Sequence, residues 1–241
     1  MDISFWTQSN PKIKVDHTTK KYFGKYLYKL VIYAPGGRLI DTKGDIPTAF
    51  EHRKNLNRYV NAGYWGYRNN KELDNADLKF LDKLRDIKRN RVYDVKLRIE
   101  EPRIQIYADN EATLANLVKN EFGKYLNYLE LISAPADAEA ESILNSGAII
   151  RKTDVGYKHK VILRDGKYNH DVKTNILTYL NNCGAEVVGI PASCREMLYK
   201  HSSFIWNCYF YTNDLSILTF INLISPGLVS NHHELVILEH K

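Results

Sequence analysis

Phe23-Gly24-Lys25-Tyr26-Leu27-Tyr28-Lys29-Leu30-Val31-Ile32 and Val155-Gly156-Tyr157-Lys158-His159-Lys160-Val161-Ile162-Leu163 read as two copies of one segment. With one residue removed after the first glycine, both run glycine, tyrosine, an aromatic ring before lysine, then three aliphatic residues. A second match lies downstream. Ile106-Tyr107-Ala108-Asp109-Asn110 precedes a helical run over 111–122, and Phe210-Tyr211-Thr212-Asn213-Asp214 precedes another over 215–224. Leu114 and Leu117 align with Leu218 and Ile221. Each run leads into an aliphatic stretch, Tyr128–Ile132 and Glu234–Leu238. Self-similarity of this kind marks a repeated structural unit.

Hydrophobic periodicity supplies the elements between these anchors. The first half reads as strand 26–33, helices 48–60 and 75–88, strands 93–100 and 103–108, helix 110–122 and strand 127–132. The second reads as strand 157–164, helix 171–182, a weak strand 186–189, strand 204–212, helix 214–224 and strand 233–239. Both orders approximate β-α-β-β-α-β. The expected fold is α+β: two tandem ferredoxin-like units with antiparallel sheets. Residues 1–132 form the first unit, with an N-terminal arm and an insertion at 57–88 that adds a helix. Residues 133–154 form a connector with a linker helix, 136–145, and 155–241 form the second unit.

Local chemistry marks the boundaries. Thr48 and Glu51 have capping-box spacing. Asp109 or Asn110, and Asn213 or Asp214, can cap the two later helices. Gly123, Gly147 and Gly184 suit the left-handed residue after a helix end. Glu101-Pro102 turns the strand pair, and apolar residues in Val95–Ile99 alternate with Lys96 and Arg98.

Composition bounds the function. The chain has 241 residues, 44% hydrophobic and 26% charged, ordinary globular usage that excludes wholesale disorder, collagen and coiled coil. The longest apolar run, 217–229, carries Asn222 and Pro226 and falls short of the roughly 18 residues of a membrane span. No basic segment followed by an apolar core opens the chain, and Cys183, Cys194 and Cys208 are odd in number, so a reduced, cytoplasmic protein is expected. The net charge is +6, unevenly spread: residues 1–70 hold twelve Lys+Arg against five Asp+Glu, and residues 93–150 five against ten. Such a dipole orients an approaching polyanion. The excess of lysine over arginine, 22 to 12, suits an AT-rich genome such as that of a phage or many bacteria.

The first half is 27 residues longer than the second between the matched motifs, and much of the excess is the segment 57–71. It interleaves Tyr59, Tyr64, Trp65 and Tyr67 with Arg58, Arg68 and Lys71, and Arg53 and Lys54 lie just before it. Aromatic faces beside cations suit single-stranded nucleic acid, where stacking contributes roughly 1–3 kcal/mol per base. The same residue types also build protein–protein hot spots, and aromatics can simply tuck into a core. Lys20, Lys21 and Lys25 in the N-terminal arm can contact phosphates without sequence preference. A βαββαβ unit has a sheet face free of helices, and RNA-binding domains stack bases on aromatics there. Tyr26, Tyr28 and Tyr33 in one half and Trp206, Tyr209 and Tyr211 in the other are the strand aromatics. The basic-Gly-aromatic signature of those domains is absent.

Catalytic patterns are few. His232 and His233 are adjacent, so a strand sends them to opposite faces. Neither HExxH nor a Cys/His zinc spacing occurs, and no metal or cofactor is expected. Cys194 beside Arg195 lies in an expected loop with no base to activate it, and a buried or inert cysteine is expected. The tandem architecture is similar to that of CRISPR RNA-processing endoribonucleases, which are often basic and of about this length. Their glycine-rich loop near the C-terminus is replaced here by Ser225–Ser230. The resemblance implies metal-independent RNA cleavage, with His52 and Tyr64 or Tyr67 as acid and base. The expectation is therefore a non-enzymatic protein binding single-stranded or structured RNA or DNA. The alternatives are a protein-interaction module that regulates or inhibits a larger machine, pointed to by strand 204–211 and acidic residues across 94–141, and a metal-independent endoribonuclease.

Overall fold

Along Tyr28–Tyr33, Leu30 and Ile32 alternate with Lys29 and Tyr33, and this strand becomes the centre of the first of two sheets. A computed structural model describes residues 3–52, 73–202 and 204–238. The protein is mixed α+β, with two five-stranded mixed sheets, and divides into two units, Met1–Ala138 and Glu139–Lys241.

The first unit runs α1 (Ile3–Ser9), β1 (Lys14–His17), β2 (Tyr28–Tyr33), α2 (46–52), α3 (Asn75–Asn90), β3 (Lys96–Glu100), β4 (Arg103–Ala108), α4 (Glu111–Leu117) and β5 (Leu129–Ala134). Its sheet order is β1-β5-β2-β4-β3. Leu30, Ile32, Ile104 and Ile106 face the core with Phe80, Leu84 and Leu114 from the helices, each fully buried side chain contributing roughly 1.5–3 kcal/mol. Trp6 is fully buried, and its indole N–H donates to Glu111 Oε1 at 2.8 Å. Asp74 caps α3 reciprocally with Asp77. For α2 the cap is Asp45, whose Oδ1 accepts from the Thr48 amide at 2.8 Å. This corrects the Thr48–Glu51 capping box: Thr48 already lies inside the helix, one turn later. Asn110 caps α4 through the Thr113 amide, and the helix then widens to a π turn over Val118–Phe122.

The second unit runs α5 (Ala138–Asn145), β6 (Ile149–Arg151), β7 (His159–Leu163), β8 (Gly166–Lys167), α6 (His170–Asn182), β9 (Val188–Gly189), α7 (Ala192–Tyr199), β10 (Phe204–Ile205), β11 (Tyr209–Thr212), α8 (Ile217–Ile224) and β12 (Val229–Ile237). Its main sheet is ordered β6-β12-β7-β11-β9, and β8 pairs with β10 in a separate ribbon. Val161, Leu163, Ile176, Leu180, Phe210 and Ile221 form the centre of its core.

Three expectations are corrected here. The sheets are mixed, not antiparallel: β1 runs parallel to β5 and β6 parallel to β12. Both added strands come from segments without clear alternation, and each is ordered by the long strand beside it. The strand expected over 204–212 is broken. Asn207 takes a left-handed φ of 50° and donates its amide to Asp165 Oδ1, which sends β10 to β8 and β11 to β7. Cys194 is buried, as expected, but in a helix and not as a thiol. It sits buried in α7, disulfide-bonded to Cys208 with Cα atoms 4.9 Å apart, and Cys183 is the free cysteine. Among the described residues, no helix is long and apolar enough to cross a membrane.

Candidate nucleic-acid interface

Because side chains alternate along a strand, pairing partners share a face. Lys29 on β2 pairs with Tyr107 on β4, and Tyr107 pairs with Lys96 on β3. All three stand on the face opposite Leu30, Ile104 and Ile106. The turn between Tyr22 and Tyr26, closed by backbone hydrogen bonds of 2.8 and 3.0 Å, folds over this row. Phe23 and Gly24 both take positive φ in that turn, 54° and 70°. The rings of Tyr22, Phe23 and Tyr26 lie 5.2, 5.0 and 6.3 Å from Tyr107, which is left only 3% exposed. Burial holds its phenol above the usual tyrosine range. Lys96 Nζ sits 3.6 Å from the Phe23 ring centre and Lys29 Nζ 5.1 Å from that of Tyr22. The arginines nearby have carboxylate partners: Arg98 bonds Glu100 at 2.8 Å, and Arg103 pairs with Glu130.

The second sheet repeats the arrangement. Lys160 on β7 pairs with Tyr211 on β11, as Ile162 pairs with Tyr209. Lys160 Nζ lies 3.7 Å from the Tyr209 ring centre. Tyr209 and Tyr211 meet edge to face at 5.6 Å, and Tyr157 lies nearly parallel to Tyr211 at 6.1 Å. Gly189 is paired with Tyr211, and a Cβ there would stand 2.4 Å from the Tyr157 ring. Its missing side chain is what lets Tyr157 lie over the strand. The Tyr157 hydroxyl then donates to the Ala185 carbonyl at 2.5 Å. Tyr209 and Tyr211 remain half-buried. Burial, then the neighbouring Tyr209, raises the Tyr211 phenol.

Of the residues expected to bind nucleic acid, Arg53, Lys54, Arg58, Tyr59, Tyr64, Trp65, Tyr67, Arg68 and Lys71 lie outside the described residues. Lys20 is exposed and Lys21 half-buried just before the aromatic turn. Lys25 lies within it, 3.5 Å from Asp94 and 3.6 Å from Asp109. A desolvation penalty works the other way, but Asp109 and Asp94 hold its ammonium pKa above the ordinary value. Lys29, Lys96, Tyr107, Lys160 and Tyr209 form the rows above. The repeat alignment already matched Lys29 with Lys160 and Tyr107 with Tyr211; strand register makes each pair a neighbour. Tyr28 instead points into the core, and Trp206 stands 66% exposed in the break between β10 and β11.

Other chemistry-bearing groups have structural partners. Lys173 is fully buried, and its ammonium donates to the carbonyls of Met197, Lys200 and Ser202 at the end of α7. Desolvation lowers its pKa. His233 shares a polar contact with the Gly147 carbonyl at 2.8 Å. His52 lines a shallow hollow with Arg38, Thr42 and Thr48. Among the described residues, no three His, Cys, Asp or Glu side chains gather closely enough to hold a metal ion. No protein-family model, curated protein or solved structure matches the chain.

Proposed function

We propose that the chain is a non-enzymatic nucleic-acid-binding protein for single-stranded or structured RNA or DNA, built from two ferredoxin-like βαββαβ units. Strand order supports the architecture. With β1 and β6 set aside, the sheets run β5-β2-β4-β3 and β12-β7-β11-β9. In the order of each repeat this is fourth, first, third, second, and the added strands extend the fourth. The observation that carries the function is the lysine–tyrosine pair at matching positions of both sheets, on the face away from the helices.

The energetics favour an exchange. A lysine resting on an exposed ring gains about 0.5–1 kcal/mol. A base stacked on that ring gains about 1–3 kcal/mol, and the displaced ammonium then neutralises a phosphate and releases a counterion. The basic N-terminal segment and the aromatic insertion at 57–71 extend the same chemistry. Fluorescence anisotropy of the full chain with a short labelled single strand, between about 50 and 200 mM salt, tests this. Affinity is expected to fall with salt. Lys29→Ala with Lys160→Ala reduces the slope by roughly 1.4, at about 0.7 per phosphate contact. Absence of binding at about 50 mM salt overturns the reading.

A protein-interaction role has one observation in its favour: Tyr199 and Trp206 are 75% and 66% exposed in the second unit. A stoichiometric protein partner recovered from nuclease-treated lysate, and lost on Trp206→Ala, would move the assignment there.

A further inference from the structure

On the second sheet, register places Gly189, Tyr209, Tyr211, Lys160, Ile162, His233, Leu235, Ile149 and Arg151 on the face away from the helices. The charged residues at these positions, Lys160 and Arg151, are both basic. On the first sheet the equivalent face includes Glu100 and Asp16, and Glu130 engages Arg103 beside it. The rings differ as well. Tyr107 is covered by the turn over 22–26, whereas Tyr209 and Tyr211 keep exposed surface and meet at 76° to form an aromatic corner. Tyr157, held by its hydroxyl and seated over Gly189, fixes one side of that corner. The raised Tyr211 phenol stays neutral at ordinary pH and does not repel a phosphate. Arg151 stands on the same face, on the outer strand β6, and its charge acts on the Tyr211 hydroxyl against the effect of burial.

We infer that this face is a base-and-phosphate subsite for single-stranded nucleic acid, with the base on Tyr209 and Tyr211 and the phosphate on Lys160 and Arg151. The inference rests on the nucleic-acid reading above and adds a location that the charge distribution of the sequence does not suggest. Lys160 leaves the Tyr209 ring as the base arrives and turns its ammonium to the adjoining phosphate.

The test uses the full chain and a fluorescein-labelled 12-mer of uridylate. Tyr211→Ala is expected to weaken binding at least about fivefold, while Tyr211→Phe, which keeps the ring, stays within about twofold. Lys160→Ala lowers the salt slope by roughly 0.7. Photo-crosslinking of the wild-type chain to a bromouridine-substituted 12-mer is expected to label the peptide carrying Tyr209 and Tyr211, and this reading does not depend on how the alanine variant folds. Wild-type affinity in Tyr211→Ala, or crosslinks confined to the first unit, overturns the subsite and leaves the nucleic-acid reading standing. Failure of the wild-type chain to bind the probe overturns both. A concentration-dependent doubling of mass that Tyr211→Ala abolishes, without probe binding, assigns the face to a second copy of the chain and overturns the subsite.

Discussion

In the first unit Lys29 faces a tyrosine that three further rings cover; in the second, Lys160 faces a tyrosine with an open flank. The strand register is the same in both. The difference lies in the segment before the first repeat strand: a five-residue aromatic turn in one unit and the single ring of Tyr157 in the other. A second contrast concerns the longest helix of each unit. α3 carries a buried carboxylate near its start, Asp77, which accepts the Tyr128 hydroxyl at 2.7 Å. α6 carries a buried ammonium, Lys173, which donates to three carbonyls. Both units pin a helix with one buried charge, of opposite sign and with different partners. The two units differ in what is exchanged where these helices meet their neighbours.

Lys173→Met sharpens this contrast most. It removes an ammonium that three partly buried carbonyls share, and a loss of about 2–3 kcal/mol is expected from urea unfolding. A loss below about 1 kcal/mol would show that water replaces the ammonium and that the pin is dispensable. Tyr128→Phe removes the hydrogen bond to Asp77 and is expected to cost about 1–2 kcal/mol near neutral pH. Burial, then Asp77, raises the Tyr128 phenol above its ordinary value. Its contribution is therefore complete below about pH 10, where the unfolded phenol ionises, and is lost as pH rises toward the folded value. The wild-type chain should lose stability more steeply above pH 10 than Tyr128→Phe does, read from urea midpoints across pH 7–11. Phe23→Ala has the smallest expected cost, roughly 1 kcal/mol, since the ring is half-exposed. It uncovers Tyr107, so nitration of that tyrosine should accelerate and uridylate affinity should rise a few-fold. Faster nitration with unchanged affinity would show that the covering turn is not what separates the two faces.

Much of the fold was legible where strands alternate and helices carry caps. Arg103–Ala108 coincides with the expected strand, and Asn75–Asn90 and His170–Asn182 match expected helices to within two residues. The hidden elements have physical reasons in common. β1 contains one apolar residue, Val15, in four, and β6 is Ile-Ile-Arg; neither carries a period, and both are set by long-range pairing. α7 follows Pro191 and holds Cys194 and Leu198 one turn apart, a face too short to stand out. Of the candidate site, the sequence exposed the residue types and the repeat that aligns them. It could not show that Arg103 is matched by Glu130, or that Phe23 folds back over Tyr107, because both depend on contacts between segments distant in sequence.

The short strands β1 and β6 have a consequence for self-association of the chain. Each lies along the outer side of the last strand of its unit, and in the second unit that strand, β12, has nine residues. Without its companion, β12 would offer a long run of unpaired amides and carbonyls ending in Leu235-Val236-Ile237, a template for intermolecular zippering. β6 covers those three positions with three residues of its own. A fragment beginning at residue 155 would lack this guard and is expected to aggregate, whereas one beginning at 139 would keep it. Light scattering of the two fragments at equal concentration distinguishes them.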